Sequence, residues 1–471
     1  MDLHISLDGP GDLAGKMYAQ IRAAIVAGRL RPGERLPSSR ELARRLAVSR
    51  TTVGVAYDRL LAEGFVCGRI GAGTFVSAAP HPRLEDRPRD SPLRPRPVWD
   101  RLPPPLVMSD LAPAFDFRAG VPDASRFPYA TWRALLTAQM RPAAVGSGSH
   151  IDAAGLDALR IAIARHVGVS RAVRAAADDV FVTSGSQQAI DLVVRVLLEP
   201  GDAVAVEDPG YPPVHGAFTA HGARVVGVPV DGEGLVVEAL PDDAPLVYVT
   251  PSHQFPLGVA MSLRRRLALL AWAERTGAAI VEDDYDSEYR YGGRPREPLH
   301  SLDHTGRVLY VGSLSKVLLP TLRLGFLVAP APLHAALRKA KHVTDWHTEV
   351  PAQAAAARFI ADGHLGRHIR RMRAVYAPRH QKIRAVLAGT LAAHLEVIPS
   401  AAGLHLAALL RGGVDDMDIV VRAHRRGVAV QPLSRCRIAS CGPAGLILGY
   451  GAIPIEHIEE GLRRLSDCFT G

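Results

Sequence analysis

The sequence contains few cysteines and no long apolar run. Its four cysteines, among 471 residues, have neither the spacing of a zinc site nor the density of a disulfide framework, so we expect reduced thiols. No apolar stretch approaches the roughly 18 residues that a membrane-spanning helix requires. The N-terminus also lacks a basic segment followed by an apolar one, the pattern of a secretory signal. These absences predict a globular, cytoplasmic protein without membrane contact.

Negative charge is also under-represented. The formal net charge is +9 and the sequence pI is about 9.6. This excess permits a polyanionic partner, although an arginine-rich composition alone does not establish one. Residues 1–77 contain eleven Lys and Arg against seven Asp and Glu, which leaves a net charge of +4 on the N-terminal part of the chain.

A proline-rich segment separates two parts of the chain. Residues 80–105 read PHPRLEDRPRDSPLRPRPVWDRLPPP, in which nine of 26 residues are proline and ten are charged. Because such a composition cannot bury a core, we predict an extended, exposed linker. The predicted organisation is an N-terminal domain of residues 1–77, a linker of residues 78–112 and a large domain of residues 113–471.

In the large domain, apolar strand-like runs alternate with helical patterns. The strand-like runs are VFVTSG, AVAVEDP, LVYVTP, AAIVEDD, VLYVGS and LGFLVAP. Stretches such as QQAIDLVVRVLL and LRRRLALLAWAERTG, which have helical periodicity, separate them. This alternation is typical of an α/β domain with a mainly parallel sheet.

The N-terminal domain contains a pattern of two short helices with a tight connection. Ser38 or Ser39 can cap the first helix and Ser49 can cap the second, and both helices carry apolar residues at helical spacing. Only Ala47 and Val48 separate them. The arrangement predicts a helix-turn-helix, whose second helix contacts the base edges and phosphates of DNA through its N-terminal end.

Specific DNA-contacting side chains follow from that geometry. The second helix would present Arg50, Thr51 and Thr52 at its N-terminal end. After Gly64, FVCGRIGAGTFVS predicts the two short strands of a wing, with Arg69 placed to reach a neighbouring groove.

The segment LRPGERLPSSRELARRLAVSRTTVGVAYDRLLAEGFVCGRIGAGTFV resembles the GntR-family winged helix over its whole length. That resemblance implies operator DNA as the partner. It also implies DNA contacts at Arg40, Arg50, Thr52 and Gly71.

The motif VGSLSKVLLPTLRLGF of the large domain indicates a reactive lysine. Lys316 follows a predicted strand, Ser313 and Ser315 precede it, and Arg323 lies seven residues later. Desolvation and nearby positive charge make such an amine available as a nucleophile. We therefore predict that Lys316 forms a Schiff base with pyridoxal phosphate, and that the two serines and Arg323 belong to the same cofactor site.

Pyridoxal phosphate also needs a carboxylate for its pyridine nitrogen and a donor to its phenolic oxygen. The motif VEDDYDSEY follows the apolar strand AAIV, which places its acidic residues at the carboxyl edge of the sheet. We expect Asp283 to hold the pyridine nitrogen and Tyr285 to donate to the phenolic oxygen. Because no His or Cys stands nearby in the sequence, we do not expect a metal at this motif.

Two further motifs complete the predicted cofactor site. In FVTSGSQQAIDLVVRVLL a helix opens directly after a strand, so the backbone amides around Ser186 and Gln187 form an anion site suited to the phosphate. In EDPGYPP, Tyr211 lies on a turn after another strand, where it can stack on the cofactor ring.

These motifs, in this order, resemble those of the fold-type I aminotransferases from about Phe117 (FRAGVPDASRFPYATW) to the C-terminus. Joined to a GntR-type winged helix, the whole chain is similar to the MocR-type regulators. The resemblance implies a winged helix-turn-helix followed by a large aminotransferase-like domain. It further implies a head-to-tail homodimer whose two cofactor sites lie at the subunit interface.

Two positions depart from the aminotransferase pattern. Aminotransferases usually place an asparagine before Pro-Thr-Gly to bond the phenolic oxygen, but here His253, Gln254 and Phe255 come before PLG. Those enzymes also carry an arginine near the C-terminus that binds the substrate carboxylate. The sequence offers Arg435 or Arg437 for that role, and solvated surface charges are the alternative interpretation of both.

Three functions are compatible with these motifs. The first is a transcriptional regulator whose large domain senses pyridoxal phosphate, or an amino compound, through the Schiff base at Lys316. The second is an active aminotransferase with an accessory DNA-binding domain, and the third is a DNA-binding protein with an inert scaffold. The intact cofactor motifs argue against the scaffold. The winged helix and the altered carboxylate position favour the regulator, with at most residual enzymatic activity.

Overall fold

The computed structural model describes residues 5–7, 11–69, 71–77, 94–104, 113–145, 148–292, 297–439 and 442–469. The chain forms two compact units, Met1–Pro95 and Arg96–Gly471. Most of the predicted linker lies outside the described residues. Its described part, residues 94–104, contains a 3-10 turn at Trp99–Arg101.

The N-terminal unit contains the predicted helix-turn-helix and wing. Its elements are α1 (Leu13–Val26), α2 (Ser39–Leu46), α3 (Arg50–Ala62), β1 (Val66–Arg69) and β2 (Gly73–Val76). The strands β1 and β2 pair antiparallel to form the wing. The fold prediction for this unit is therefore confirmed.

Serine caps determine where the two helices of the motif begin. The Ser38 side chain accepts a hydrogen bond of 3.2 Å from the amide of Glu41, and the Ser49 side chain accepts one of 3.0 Å from the amide of Thr52. Each cap satisfies a backbone donor that the helix itself leaves unpaired. Ala47 ends α2 in the left-handed region, at φ 53°, which allows the short connection to α3.

The large unit contains twelve further helices among its described residues. They are α4 (Tyr129–Gln139), α5 (Pro142–Val145), α6 (Asp157–Arg171), α7 (Ser186–Leu197), α8 (Pro212–Ala220), α9 (Leu263–Thr276), α10 (Leu299–Leu302), α11 (His334–Asp345), α12 (Val350–Ala361), α13 (His364–Ala388), α14 (Asp416–Arg425) and α15 (Ile458–Ser466). The described helices include none that is both long enough and apolar enough to span a membrane.

The strands of the large unit form three sheets in the part of the chain that the structure describes. The strands are β3 (Phe115–Asp116), β4 (Val180–Thr183), β5 (Ala203–Asp208), β6 (Arg224–Asp231), β7 (Gly234–Leu235), β8 (Leu246–Val249), β9 (Ala279–Asp284), β10 (Val308–Ser313), β11 (Gly325–Val328), β12 (Leu395–Val397), β13 (His405–Leu410), β14 (Val428–Ala429), β15 (Gln431–Pro432) and β16 (Gly445–Gly449).

The central sheet has eight strands in the order β4-β11-β10-β9-β8-β5-β6-β7. The pairings from β10 through β9, β8 and β5 to β6 are all parallel, whereas β11 and β7 pair antiparallel with their neighbours. All six strand-like runs of the sequence form strands of this sheet. The prediction of an α/β domain with a mainly parallel sheet is confirmed.

Alternation of side chains along β5 shows how helices cover both faces of the sheet. Val204 and Val206 pack in one apolar cluster with Ile190 of α7. The intervening Ala205 packs in another cluster with Leu269 of α9. Because successive side chains of a strand point to opposite faces, α7 and α9 must cover opposite sides of the sheet. Because these helices cover the faces of the sheet, the carboxyl ends of the strands remain accessible.

A second, antiparallel sheet of the order β12-β13-β16-β15 lies in the C-terminal part of the large unit. The strand patterns noted in the sequence do not include the strands of this sheet. It matters for function because three of its strands contribute side chains to the site described next.

Candidate functional site

A cavity of about 280 Å³ lies at the carboxyl ends of the parallel strands. Tyr248 from β8, Asp283 from β9 and Ser313 from β10 line it. All nine residues that the sequence assigned to a cofactor site line this one cavity. They are Ser186, Gln187, Tyr211, Asp283, Tyr285, Ser313, Ser315, Lys316 and Arg323.

Lys316 lies in the loop that follows β10, with its amine in the cavity wall. The amine donates a hydrogen bond of 3.0 Å to the carbonyl oxygen of Gly120. Burial lowers the pKa of Lys316, and the positive charge of Arg323 acts in the same direction, although Asp286 and Asp283 oppose both. A lowered pKa increases the fraction of neutral amine, which is the nucleophilic form.

Asp283 presents one free carboxylate oxygen. Its Oδ2 accepts a hydrogen bond of 2.7 Å from the Tyr248 hydroxyl, whereas its buried Oδ1 has no hydrogen-bond partner among the described residues. Burial raises the pKa of Asp283 to about 7. A buried acceptor without a partner is costly, so an N–H donor that entered the cavity beside Oδ1 would remove that cost. The protonated pyridine nitrogen of pyridoxal phosphate is such a donor.

The start of α7 offers an anion site at another part of the cavity wall. The helix begins at Ser186 directly after β4, so its first backbone amides have no partner within the helix. Arg323 donates a hydrogen bond of 2.7 Å to the carbonyl oxygen of Ser184. A Cβ at Gly185 would lie 3.0 Å from the Arg323 guanidinium, and Gly185 has φ +85°, so the position favours glycine.

Two further donors accompany the start of α7. The side-chain nitrogen of Gln187 is buried and has no hydrogen-bond partner among the described residues. The Ser313 hydroxyl oxygen accepts a hydrogen bond of 3.1 Å from the amide of Ser315. Helix amides, a guanidinium and hydroxyl groups that line one cavity are the donors that bind phosphate in proteins.

The two predicted tyrosines also line the cavity. The Tyr285 hydroxyl donates a hydrogen bond of 2.8 Å to the carbonyl oxygen of His253. For Tyr285 to donate to a cofactor oxygen instead, its proton would have to rotate away from that carbonyl. The ring of Tyr211 stands edge-on to Phe255, with centroids 5.3 Å apart.

In the N-terminal unit, the side chains predicted to contact DNA are mostly exposed. Exposed are Arg40, Arg50, Thr51, Arg69 and Gly71. Arg50 lies at the start of α3, and its Nε donates a hydrogen bond of 3.4 Å to the Ser39 hydroxyl at the start of α2. The partly buried Thr52 lies 2.8 Å, hydroxyl to hydroxyl, from the capping residue Ser49. Thr52 therefore also supports the helix start.

Family models match both units of the chain. The model described as bacterial regulatory proteins of the gntR family matches residues 13–76, and the model of aminotransferase class I and II matches residues 124–464. The probable rhizopine catabolism regulatory protein MocR of Rhizobium meliloti is 36% identical, and the match covers 96% of this chain and 93% of that protein. The pyridoxine biosynthesis transcriptional regulator PdxR of Corynebacterium glutamicum is 34% identical over 100% of this chain and 99% of that protein. The chain belongs to the MocR subfamily of GntR-family regulators.

The large unit of this MocR-type chain is similar to solved aminotransferases. Kynurenine aminotransferase of Pyrococcus horikoshii superposes with a TM-score of 0.72 at 30% identity, covering 80% of this chain and 95% of that one. The α-aminoadipate aminotransferase LysN of Thermus thermophilus gives a TM-score of 0.70 at 29% identity, covering 75% of this chain and 92% of that one. The aminotransferase-like fold predicted from the sequence is confirmed.

The structure locates the two departures from the aminotransferase pattern in this MocR-type chain. Phe255, directly before Pro256, lines the cavity. The side chain of His253 instead contacts Asp286, and the Gln254 amide donates a hydrogen bond of 2.8 Å to the carbonyl oxygen of Pro209. A phenylalanine therefore stands in the cavity without a hydrogen-bond donor.

The two arginines proposed for a carboxylate lie in different environments. Arg435 lines the cavity. Arg437 donates a hydrogen bond to the carbonyl oxygen of Pro443 and is not among the described residues that line the cavity. Arg435 is therefore the arginine that can reach a ligand in this cavity.

Several lining residues were missed because the chain brings them in from a distance. The second sheet contributes His405 from β13, Gln431 from β15 and Ile447 from β16. His253 and His405 also lie beside Asp286, and the possible ligand atoms of the three lie within 4.8 Å of one another. Sequence spacing did not indicate this cluster, because the three residues are far apart in the chain.

Proposed function

We propose that this chain is a DNA-binding transcriptional regulator whose aminotransferase-like domain binds pyridoxal phosphate at Lys316. In this proposal the domain senses either the cofactor itself or an amino compound that displaces Lys316 from it. The observation that carries the proposal is the pairing, in one cavity, of the Lys316 amine with an unbonded carboxylate oxygen of Asp283. A DNA-binding protein whose large domain is an inert scaffold requires neither feature.

Each side of the cavity matches one part of the cofactor. When bound, pyridoxal phosphate supplies an aldehyde for a Schiff base and a ring that withdraws electrons. Asp283 would hold the proton on the pyridine nitrogen, and Tyr211 would stack on the ring. The phosphate would be held by groups at the start of α7 and near Lys316, namely Ser186, Gln187, Ser313, Ser315 and Arg323.

Comparison with related proteins supports the same cofactor class. LysN of Thermus thermophilus, which this chain matches at 29% identity, was solved in complex with N-(5'-phosphopyridoxyl)-L-leucine. That compound joins the pyridoxyl phosphate group to an amino acid. It fits the proposal that an amino compound replaces Lys316 on the cofactor in this chain.

Operator DNA is the proposed partner of the N-terminal unit, and a cytoplasmic location is proposed with it. Arg50 and Thr51 at the start of α3 and Arg69 in the wing are exposed and can approach DNA grooves and phosphates. We further propose a homodimer, since similarity to aminotransferases supports a head-to-tail pair. Two winged helices would then read an operator made of two half-sites.

A spectroscopic experiment tests the cofactor half of the proposal. Purified protein should bind pyridoxal phosphate with an absorption band at the edge of the visible range, and Lys316→Ala should lose that band while the large unit stays folded. Borohydride reduction followed by peptide mapping should place the pyridoxyl group on Lys316. A label on another lysine, or on none, contradicts the assignment.

A binding experiment tests the regulatory half. In salt-matched titrations of operator DNA, the cofactor or an added amine should change the affinity by roughly 5- to 150-fold, the usual size of allosteric coupling. Lys316→Ala should reduce this response and leave basal DNA binding intact. Equal affinities and footprints for apo-protein, holo-protein and variant would rule out a sensor.

A catalytic aminotransferase is the second candidate. It is favoured by the nine predicted cofactor residues that line one cavity and by the match to kynurenine aminotransferase over 95% of that enzyme. Multiple turnovers with an amino donor and a keto acceptor would support it. A single conversion of the cofactor without turnover would favour the sensor.

A further inference from the structure

A row of hydrogen-bonded side chains connects Tyr285 of the cavity wall to His253, Asp286 and Ser400. Nδ1 of His253 lies 3.0 Å from Oδ1 of Asp286 and 3.2 Å from the Tyr285 hydroxyl. Nε2 of His253 lies 3.2 Å from the hydroxyl of Ser400. The His253 and Asp286 side chains are 1% and 2% exposed. The pair is thus sealed from water, yet it reaches a residue of the cavity wall.

The geometry assigns the protons of this row. A carboxylate only accepts, so the close Asp286 oxygen requires the proton of His253 on Nδ1. The Tyr285 hydroxyl gives its own proton to the His253 carbonyl oxygen at 2.8 Å, so its oxygen can accept the Nδ1 proton together with Asp286 in a three-centre hydrogen bond. Hydrogen bonds in such a series polarise one another, so Nδ1 makes the Tyr285 hydroxyl a stronger donor.

The fold holds the His253 ring in this position. A Cβ at residue 403 would lie 2.0 Å from Cε1 of His253, so glycine alone fits there, and Gly403 has φ +82°. The amide of Leu404 donates a hydrogen bond of 3.1 Å to Asp286 Oδ2. Both Asp286 oxygens therefore have partners, and the carboxylate is fixed beside Nδ1.

Other titratable groups around the row do not supply the same effect. His405 stacks on Tyr285 with ring centroids 6.5 Å apart, and its Nε2 donates to the carbonyl oxygen of Pro256 at 3.1 Å. Burial lowers the pKa of His405 to about 3, so it stays neutral. On the cavity side, the charged groups are Asp283, Lys316, Arg323 and Arg435. A metal ion among His253, Asp286 and His405 would have to displace these hydrogen bonds.

We propose that His253 and Asp286 are positioning residues that act through Tyr285 on the phenolic oxygen of the cofactor, once the Tyr285 proton has turned from the His253 carbonyl oxygen to that phenolic oxygen. They replace the effect of the side-chain donor that aminotransferases place where this chain has Phe255. This inference rests on the proposed function, because it concerns the same cofactor.

The proposal makes a prediction with a definite sign. A strong donor to the phenolic oxygen stabilises the anionic form of that oxygen and lowers the proton affinity of the neighbouring imine nitrogen. Weakening the donor should therefore raise the pH midpoint at which the visible band of the Lys316-bound cofactor titrates. The midpoint is a direct readout, independent of any catalytic activity.

Two substitutions at one position separate the functional from the structural role. In His253→Asn the amide nitrogen stands near the position of Nδ1, whereas in His253→Gln it stands near Nε2. We expect His253→Gln to raise the midpoint by about half to one pH unit, the equivalent of one typical hydrogen bond. His253→Asn should titrate like the wild type. A purely structural role would lower the melting temperature of both variants without separating their midpoints.

Controls come from the same region of the chain. His380 is also buried and bonds to the carbonyl oxygen of Ser400 at 3.1 Å, but it does not line the cavity. His380→Asn should leave the midpoint unchanged. Ser400→Ala removes a single oxygen, the one beside Nε2 of His253. This variant should therefore fold even if the His253→Gln variant does not. It should raise the midpoint by a smaller amount.

A double-mutant cycle decides whether the effect passes through Tyr285. In a Tyr285→Phe background, His253→Gln should cause no further shift. A further shift, or a wild-type midpoint in both His253→Gln and Ser400→Ala, overturns the inference while the proposed function stands. A wild-type protein without any visible band overturns both.

Discussion

The amine of Lys316 donates a hydrogen bond of 3.0 Å to the carbonyl oxygen of Gly120, which precedes it by 196 residues. Gly120 has φ +76°, and a Cβ there would lie 2.8 Å from the Lys316 amine. The absence of a side chain at residue 120 therefore gives the lysine its place in the cavity.

Replacing this glycine should affect the lysine specifically. Gly120→Ala should reduce the formation of the visible band with pyridoxal phosphate, because the new methyl group contacts the amine. Gly277→Ala is a matched control, since Gly277 has φ +82° and a Cβ there would meet nothing within 4 Å. Both variants carry similar backbone strain, of about 1 kcal/mol or more. Equal band formation in the two variants would contradict the role of Gly120.

Arg435 and Arg437 provide a second matched pair. Arg435 lines the cavity, whereas Arg437 hydrogen-bonds to Pro443. Arg435→Ala should weaken the spectral response to amines that carry a carboxylate by about 10-fold or more, as expected for a lost charged hydrogen bond. Its response to amines without a carboxylate should change little, and Arg437→Ala should behave like the wild type. Titrations of the visible band measure both, and an equal loss for the two amine classes would exclude a carboxylate contact.

Arg50 should read DNA. Arg50→Ala is expected to weaken binding to an operator selected from random DNA by ~1–3 kcal/mol if the side chain contacts a base. If it contacts phosphate alone, binding to all sequences should weaken about equally and the salt dependence should decrease. Arg29, an exposed arginine outside the helix-turn-helix and wing, provides the control Arg29→Ala. Unchanged operator affinity in Arg50→Ala would remove Arg50 from the reading surface.

Glu207, at the end of β5, should make stability depend on pH. Its Oε2 accepts a 2.6 Å hydrogen bond from the Thr250 hydroxyl, its Oε1 has no partner among the described residues, and burial raises its pKa from 4.5 to about 7. A raised pKa of an acid means that its stabilising contribution is present below pH 4.5 and is lost as the pH rises to about 7.

Glu207→Gln should therefore gain stability relative to the wild type between pH 5 and pH 8, by up to ~3 kcal/mol. Urea unfolding of the large unit at four pH values measures the difference. The exposed Glu238 provides the control Glu238→Gln, which removes one carboxylate charge at the surface of the same unit. A constant difference for Glu207→Gln would mean that Glu207 is ionised in the folded protein.

Local patterns in the sequence were sufficient to predict the wall of the cavity that the central sheet provides. The predicted cofactor residues lie at the carboxyl ends of strands of that sheet or in the segments that follow them, and parallel strands bring their carboxyl ends to one edge. A strand pattern, a cap and a nearby motif are all short-range signals. The caps Ser38 and Ser49 were likewise predicted from short spacings, with Ser39 as an alternative for the first.

The remaining wall depends on long-range packing that short patterns do not encode. Gly120 precedes the first strand of the central sheet, and His405 and Ile447 come from the second sheet. The sequence also could not predict the direction of the His253 side chain, because that direction depends on Asp286 and on the space left by Gly403. Neither relation is visible until the two sheets are in place.

The cavity is lined by residues from Ala119 to Ile447, segments more than 300 residues apart in the chain. A ligand that fills the cavity contacts these distant segments at once and stabilises their folded arrangement for as long as it is bound. At 100 times its dissociation constant, such a ligand adds about 2.7 kcal/mol to the free energy of unfolding. Proteases that attack the unfolded chain would then spare the filled form and degrade the empty one. The number of regulator molecules in a cell would consequently follow the supply of the ligand, on a slower timescale than any change in DNA affinity.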